Sequence, residues 1–183
     1  RIVERRGCAD AIAPLEVPDM PAPDIDEPRM AVQFSDIGRA ENLRDWGADE
    51  LIYAPKDLTA VEAQLARHRD FPLTLLIPMV CPDEDLLRLN RLARERRDIV
   101  GAVMVSNVAH LALDWPCEIR ADYPMNVANN LAVQQILRRG VTRYVPSVEL
   151  TAREIAQLGG EKELVVYGRL PLMQLRHCPL NAR

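Results

Sequence analysis

Short apolar runs alternate with helical patterns along the chain from residue 30 onward. The runs are rich in β-branched and aromatic residues, which is typical of strands buried in a sheet. They predict strands at Met30–Phe34, Glu50–Tyr53, Leu73–Ile77, Ile99–Val105, Glu118–Ala121, Arg143–Val145 and Glu163–Tyr167. Because a helical pattern separates each strand from the next, the strands are expected to pair in parallel.

The segments between the strands carry start signals for helices. Thr59–Glu62 reads Thr-Ala-Val-Glu and Thr151–Glu154 reads Thr-Ala-Arg-Glu. Both predict a capping box, in which the Thr hydroxyl and the Glu carboxylate bind free amides of the first turn. Ser35 and Asp57 also follow predicted strands, and we expect them to cap helices, since caps strongly prefer such residues.

The spacing of the strands favours one fold class. Successive strands start about 20–27 residues apart, which is close to the length of a βα unit. A doubly wound open sheet is an alternative, but the first strand is not followed by the glycine-rich phosphate turn of a Rossmann fold. We therefore predict an α/β fold, namely an incomplete TIM-like (β/α) barrel of about seven βα units with parallel strands.

A change in composition near the start predicts a domain boundary. Residues 13–28 contain five prolines and five acidic residues, which favours an extended, polyproline-like linker over residues 13–29. Residues 1–12 would then be the tail of a preceding domain, and residues 30–183 a barrel domain truncated at its C-terminus. The chain starts at Arg1 without a Met, so we expect it to be a piece of a longer protein.

Composition and charge narrow the class of protein. Hydrophobic residues make up 48% of the chain and charged residues 27%, a balance typical of soluble globular proteins. The net charge of -4 gives no overall attraction to nucleic acid or anionic lipid, although it leaves room for a local basic patch. The four cysteines form no C-x-x-C pair and no export signal precedes them, so we expect reduced thiols, a cytoplasmic location and no membrane partner.

Polar residues follow nearly every predicted strand, and the active sites of such barrels lie at these carboxyl ends. Asp122 and Asn126 follow the fifth strand; a helix cap at Asn126 and a ligand role for Asp122 are both open. Glu149 follows the sixth strand and is a candidate catalytic acid, although by itself it reads as a solvated loop residue. Lys56 and Arg169 are candidates for binding an anionic group of a substrate.

The adjacent His177 and Cys178 are the strongest chemical candidates. A thiol beside an imidazolium and Arg176 is expected to have a depressed pKa, which suits a nucleophile or a ligand to a soft metal. One cysteine, however, makes neither a zinc site nor an iron–sulfur cluster, since these take about four ligands. If Cys178 is a ligand, its partners are expected downstream of Arg183.

Three segments resemble, in order and spacing, the U32 family of collagenase-like peptidases. They are WGADELIYAP (46–55), DYPMNVANNLAVQQILRRGVTRYVPSVELTAREI (122–155) and ELVVYGRLPLMQLRHCPL (163–180). The resemblance covers about residues 30–183 and implies a TIM-like barrel. The family contains peptidases of unassigned catalytic type, and other members are hydroxylases that work without oxygen. These hydroxylases act on ribosomal RNA, transfer RNA or a quinone precursor with a cysteine-bound iron–sulfur cluster.

The resemblance also implies roles for single residues. Cys178 falls where the family places a cysteine ligand of a 4Fe-4S cluster, Asn126 falls in the motif of the fifth strand, and Glu149 matches the acid of a Ser-x-Glu-Leu stretch. The segment Tyr167–Pro171 departs from the family, because many members have His-Gly-Ala-Leu-Cys there. In this respect the chain resembles the quinone-hydroxylating branch and the second barrel of the large members.

Three functions are consistent with these patterns. The first is a peptidase-like enzyme, as the family label implies, although the sequence shows no catalytic triad. The second is hydroxylation of RNA or a quinone precursor, which better suits a lone Cys178. The third is a non-catalytic second barrel that positions RNA or a partner for an upstream barrel domain. A basic patch of Arg138, Arg139, Arg143 and Arg169 would support this third function. In each case we expect the isolated chain to be inactive.

Overall fold

The computed structural model describes residues 20–21, 27–68 and 71–171 of the chain. Strands and helices alternate throughout this part, as the hydrophobic pattern predicts. The strands are β1 (Ala31–Phe34), β2 (Glu50–Tyr53), β3 (Leu73–Ile77), β4 (Val100–Val105), β5 (Glu118–Ala121), β6 (Val141–Tyr144) and β7 (Glu161–Lys162). The α-helices are α1 (Ala40–Asp45), α2 (Val61–Leu65), α3 (Asp83–Glu95), α4 (Asn130–Leu137) and α5 (Ala152–Ala156). Short 3-10 turns lie at Ile37–Arg39, Leu58–Ala60, Val108–Ala112 and Tyr123–Met125.

The seven strands form one sheet in which every pair is parallel and neighbours follow the order of the chain, β1 to β7. This order belongs to a (β/α) barrel, whereas a doubly wound sheet changes direction partway along its strand order. The sheet curls into a half-barrel. The predicted fold class, an incomplete TIM-like barrel of parallel strands, is therefore confirmed.

The outer face of the sheet holds most of the apolar core. Leu51, Leu75 and Val103 lie on successive strands and are buried under the helices. From α3, Leu86, Leu89, Leu92 and Ala93 are buried, because residues three and four apart share one face of a helix. A second cluster of buried residues includes Val133 of α4 and Tyr144 of β6. Burial of these side chains is what fixes the helices against the sheet.

The inner face of the curled sheet is apolar in its middle. Ile52, Met104 and Val145 form a buried cluster there, with Leu76 and Tyr123 packed against it. Met104, Arg120 and Arg143 are register partners on β4, β5 and β6, so they share this face with each other. The register therefore brings two arginines into the lumen of the half-barrel.

These arginines belong to a group of ion pairs that we call the lumen network. Its members are Glu50, Glu118, Arg120, Arg143, Glu161 and Glu163. Glu50 of β2 pairs with Arg120 and, at 2.8 Å, with Arg143. Because β2 lies three strands away from β5 in the sheet, this contact spans the lumen and holds the curled sheet together.

The lumen network changes the pKa values of its carboxyl groups in opposite directions. Burial alone would raise the pKa of Glu50, but hydrogen bonds from Arg143 and Arg120 outweigh it and hold that pKa below its usual value. For Glu163, burial is the stronger effect and raises the pKa of the carboxyl, although both arginines oppose the shift. Of these two carboxyl groups, Glu50 is the one that the arginines stabilise as an anion.

The predicted position of the seventh strand is wrong. We expected it at Glu163–Tyr167, but β7 is Glu161–Lys162, and Val166 and Tyr167 are exposed. The ladder from β6 ends soon after Tyr144, whose carbonyl accepts the Glu163 amide at 2.9 Å. β6 ends at Tyr144, and residues 164–167 pair with no strand of the described part of the chain. The sixth strand likewise starts earlier than predicted, at Val141.

Of the two predicted capping boxes, one is confirmed. Thr151 caps α5: its hydroxyl accepts the Glu154 amide at 3.3 Å, and the Glu154 carboxylate accepts the Thr151 amide at 2.8 Å. Thr59 does not cap a helix, because Asp57 accepts the Thr59 amide at 2.9 Å and opens a 3-10 turn before α2. Asp57 is therefore a cap as expected. After β1 the cap is Asp36 rather than Ser35.

The predicted tail at residues 1–12 lies outside the described residues, as does most of the predicted linker at 13–29. Met20, Pro21 and residues 27–29 of that linker are described, and Met20 contacts the barrel. Among the helices of the described ranges, none is long and apolar enough to cross a membrane.

Candidate functional site

A cleft of about 270 Å³ opens at the carboxyl ends of β3, β4 and β5. Its lining residues are Met79, Ser106, Asn107, Val108, Pro124 and Met125. They come from the three loops that follow these neighbouring strands, which is the end of a (β/α) barrel where active sites form. The cleft is mainly apolar, with one hydroxyl and one amide side chain.

Ser106 and Asp122 form a buried pair at the cleft. Val105 at the end of β4 and Ala121 at the end of β5 are register partners, so the residues that follow them come out side by side. Ser106 donates its hydroxyl hydrogen to Asp122 Oδ2 over 3.1 Å, and the Tyr123 amide donates to Asp122 Oδ1 over 2.8 Å. Ser106 is only 2% exposed and Asp122 only 7%.

Burial sets the proton affinity of this pair. It raises the pKa of the Asp122 carboxyl above its usual value, while the hydrogen bonds from the Tyr123 amide and the Ser106 hydroxyl oppose the shift without cancelling it. Asp122 therefore holds a proton more readily than a solvated aspartate does. A nucleophile and its base generally lie about 2.6–3.2 Å apart. The 3.1 Å between Ser106 Oγ and Asp122 Oδ2 therefore suits activation of the serine as a nucleophile.

The Asn residues near the cleft shape its walls. Asn107 accepts the Ala109 amide at 3.0 Å and donates to the Met79 carbonyl at 3.3 Å, so it ties the loop after β4 to the loop after β3. Asn126 does not cap the next helix, because Asn129 does so by accepting the Ala132 amide at 2.9 Å. Asn126 instead ends a 3-10 turn with φ 52°, a left-handed conformation that asparagine tolerates well.

Three other candidates lie outside the cleft lining. Glu149 is exposed, and its amide donates to the Ser147 hydroxyl at 3.4 Å. Lys56 and Arg169 are exposed on the loops that follow β2 and β7. Of the candidates that the sequence singled out in the described part of the chain, Asp122 is thus the one whose side chain is hydrogen-bonded to a residue of the cleft lining.

His177 and Cys178 lie outside the described residues. Within the described ranges, no three His, Cys, Asp or Glu side chains gather in a way that would hold a metal ion. Cys81 follows β3 and Cys117 precedes β5, so they lie at opposite ends of the barrel, and burial raises the pKa of both thiols to about 11. These thiols do not fit the thiolate ligands of an iron–sulfur cluster, and the 4Fe-4S expectation rests on Cys178 alone.

One of the four arginines of the basic patch considered from the sequence does not lie on the outer surface. Arg143 points into the lumen and pairs with Glu50, Glu161 and Glu163, so its charge is neutralised there. Arg138 and Arg139 follow the end of α4 and are exposed. Arginines at a helix end are also what the helix dipole favours, so these two do not by themselves indicate an RNA surface.

The sequence singled out Asp122 but not its partner Ser106. It also missed the lumen network, although Arg120 and Arg143 stand in short strands where a charge is unusual. Which strands lie next to each other was predictable from the βα repeat. The register of β4 against β5, which makes the Ser106–Asp122 pair, was not.

Comparisons with known proteins do not assign a family. No protein-family model matches the chain, and no curated protein matches it. The resemblance to the U32 family therefore stays a prediction from the sequence motifs, and a function has to be argued from the geometry of the cleft.

Proposed function

We propose that the chain is a barrel domain of U32-type hydrolase, with Ser106 as nucleophile and Asp122 as its base. The observation that carries this proposal is the buried Ser106–Asp122 hydrogen bond of 3.1 Å at the edge of the carboxyl-end cleft. Such pairs turn a weak nucleophile into a reactive one because the base removes the hydroxyl proton during attack. The raised pKa of Asp122 makes it a stronger base than a solvated carboxylate.

The proposed step acts on a peptide carbonyl held in the cleft. Ser106 Oγ forms a bond to the carbonyl carbon while its proton moves to Asp122 Oδ2. The tetrahedral intermediate then breaks its C–N bond, and the proton on Asp122 passes to the leaving amine. Water repeats the sequence on the acyl-serine, with Asp122 as its base, and releases the carboxylic acid.

The lining of the cleft supports a peptide rather than a polyanion as substrate. Met79, Val108, Pro124 and Met125 offer an apolar wall, which suits an amino-acid side chain. RNA would need cations that meet its phosphates, and Arg143 is engaged in the lumen. We therefore propose a peptide substrate. A quinone precursor is apolar as well and would suit the same wall. Binding of RNA is one outcome of the test described below.

We place this enzyme in the cytoplasm. Cys81 and Cys117 are free thiols, which agrees with a reducing compartment. Both are partly buried against the core on the outer face of the sheet, so they pack as small apolar side chains and take no part in the proposed step.

One observation favours a non-catalytic barrel as the second candidate. Several polar side chains of the carboxyl-end rim already serve as caps of helical turns: Asp36, Asp57, Asn107, Asn129 and Thr151. A rim occupied in this way leaves few groups for chemistry. In this second function the barrel would bind RNA or a partner for an upstream barrel domain, and Ser106 and Asp122 would only fix the rim.

Labelling with a fluorophosphonate separates the two functions, because this reagent reacts with activated serines. We expect a mass increase on the peptide that contains Ser106 in the unchanged chain and no such increase in Ser106→Ala. Asp122→Asn should reduce the labelling rate by about 100-fold or more, the general scale of acid–base catalysis. Ser147→Ala is the matched control, since Ser147 is equally buried on the rim and follows β6.

The same variants are then tested for cleavage of labelled gelatin. Ser106 and Asp122 both belong to this chain, so the proposal expects the isolated chain to be active. The sequence motifs led to the opposite expectation. Cleavage that is lost in Ser106→Ala and kept in Ser147→Ala supports the hydrolase. Labelling and cleavage that are both absent from a folded chain would refute it. A gel shift with transfer RNA under those conditions would then favour the binding barrel.

A further inference from the structure

The loop before β7 holds a contact that neither the fold nor the proposed function requires. Gly159 and Gly160 lie in the loop between α5 and β7. Met20 packs against the apolar cluster that contains Leu158 and Tyr144, and the Gly160 amide donates to the Pro21 carbonyl at 3.4 Å. A segment far away in sequence is thereby seated on the loop before β7.

Gly159 makes room for this contact. A Cβ at this position would overlap the Met20 side chain and would lie 2.8 Å from the Met20 carbonyl oxygen. The φ angle of Gly159 is not positive, unlike that of Gly160, so the backbone itself does not call for glycine here. The Gly159 carbonyl accepts the Tyr144 hydroxyl at 2.7 Å, which fixes the loop on the buried end of β6.

We propose that the loop 158–160 is a docking site for Met20 of the same chain. Gly159 provides the space, the cluster around Tyr144 takes the thioether side chain, and the Gly160 amide binds the backbone at Pro21. A flexible, unbranched methionine suits such an irregular apolar site.

The docking site is formed by the loop before β7, whose Gly159 amide donates to Asn130 Oδ1 over 2.9 Å at the start of α4. Residues 158–160 do not line the cleft. This inference does not depend on the proposed function, because it uses none of the residues of the cleft.

Oxidation of methionine by hydrogen peroxide tests the docking site in the full chain, since the rate follows the exposure of the thioether. In the unchanged chain, Met20 should oxidise several-fold more slowly than the half-exposed Met30, by the same principle. Gly159→Ala should bring Met20 to the rate of Met30 while buried Met104 stays protected. Gly38→Ala is the matched control, because a Cβ there meets only the Asp36 carboxylate at 3.4 Å.

A second variant covers the case in which Gly159→Ala also exposes Met104 and so loses its fold. Met20→Ala leaves the loop itself unchanged, and we expect faster hydrogen exchange of the Gly160 amide, with Met30→Ala as control. Unchanged exchange at Gly160 in Met20→Ala would overturn the proposal. Oxidation of Met20 at the rate of Met30 in the unchanged chain would overturn it as well.

Discussion

At the scale of single residues, His110 is buried without full hydrogen bonding. It is 2% exposed, and its Nδ1 has no hydrogen-bond partner among the described residues. Its backbone carbonyl accepts Trp115 Nε1 at 2.8 Å, which holds the 3-10 turn after β4 in place. Burial lowers the pKa of the imidazole below 6.5, so the folded chain keeps His110 neutral. A buried polar atom without a partner generally costs stability.

We expect His110 to make folding sensitive to mild acid. Its pKa is lower in the folded chain than in the unfolded one, so the unfolded chain binds a proton first as the pH falls below about 6.5. The folding stability that comes from the lowered pKa of His110 is therefore fully present above this pH and is lost as the pH falls. Urea unfolding of the chain and of His110→Leu between pH 7.5 and 5 measures the effect.

The difference between the two proteins isolates His110 from the other titrating groups. His110→Leu should be the more stable of the two at pH 5, by about 1–3 kcal/mol, because it removes the unpaired nitrogen as well as the charge. A gap that stays constant from pH 7.5 to 5 would show that the imidazole is not titrating in this range.

At the scale of elements, the apolar runs predicted the strands well except for β6 and β7. The predicted bounds of β2, β3 and β5 match the observed ones, because these short apolar runs are largely buried and the flanking turns leave little freedom. β7 is displaced, since its position depends on where the ladder of β6 ends and not on the apolar run at 164–167. Helix starts show a similar limit: Thr59 and Thr151 have the same local pattern, yet only Thr151 caps a helix.

This difference predicts unequal effects of two similar substitutions. Thr151→Ala removes the cap of α5 and should cost about 1 kcal/mol of unfolding free energy, the general value for a Thr N-cap. Thr59→Ala leaves the cap at Asp57 in place and should change the unfolding free energy by less than about 0.5 kcal/mol, as exposed substitutions generally do. Urea unfolding at pH 7 compares the two variants. Equal losses would mean that the hydroxyl of Thr59 matters as much as a cap.

At the scale of the whole molecule, the lumen network is the feature that the sequence concealed. Glu50 lies 70 residues from Arg120 and 93 from Arg143 along the chain, so no local pattern links them. Arg120 is 7% exposed, and its charge needs partners that only the curled sheet brings together. The βα repeat predicts that the sheet curls, but the charges inside it follow from a register that periodicity does not give.

Loss of Glu50 should therefore weaken the whole barrel rather than one strand. Glu50→Gln keeps the size of the side chain but removes the anion shared by Arg120 and Arg143, leaving two arginines short of a partner in the lumen. Breaking a buried ion pair from one side generally costs about 3–5 kcal/mol. We expect about 3 kcal/mol by this principle, because Arg120 keeps Glu118 and Glu163. Asp114→Asn is the matched control: it also removes one negative charge and one ion pair, with Arg94, but the Asp114 side chain is exposed.

An exposed ion pair is generally worth under about 1 kcal/mol, so Asp114→Asn should unfold in urea close to the unchanged chain at pH 7. If Glu50→Gln lost no more stability than Asp114→Asn, the contact across the lumen would contribute nothing net. The apolar cluster on the inner face around Ile52, Met104 and Val145 would then have to hold the curl alone. If the large loss is found, raising the salt concentration should change it little, because buried pairs are screened far less than exposed ones. A large loss in Glu50→Gln that salt does not change would show that the buried ion pairs of the lumen network stabilise the open barrel.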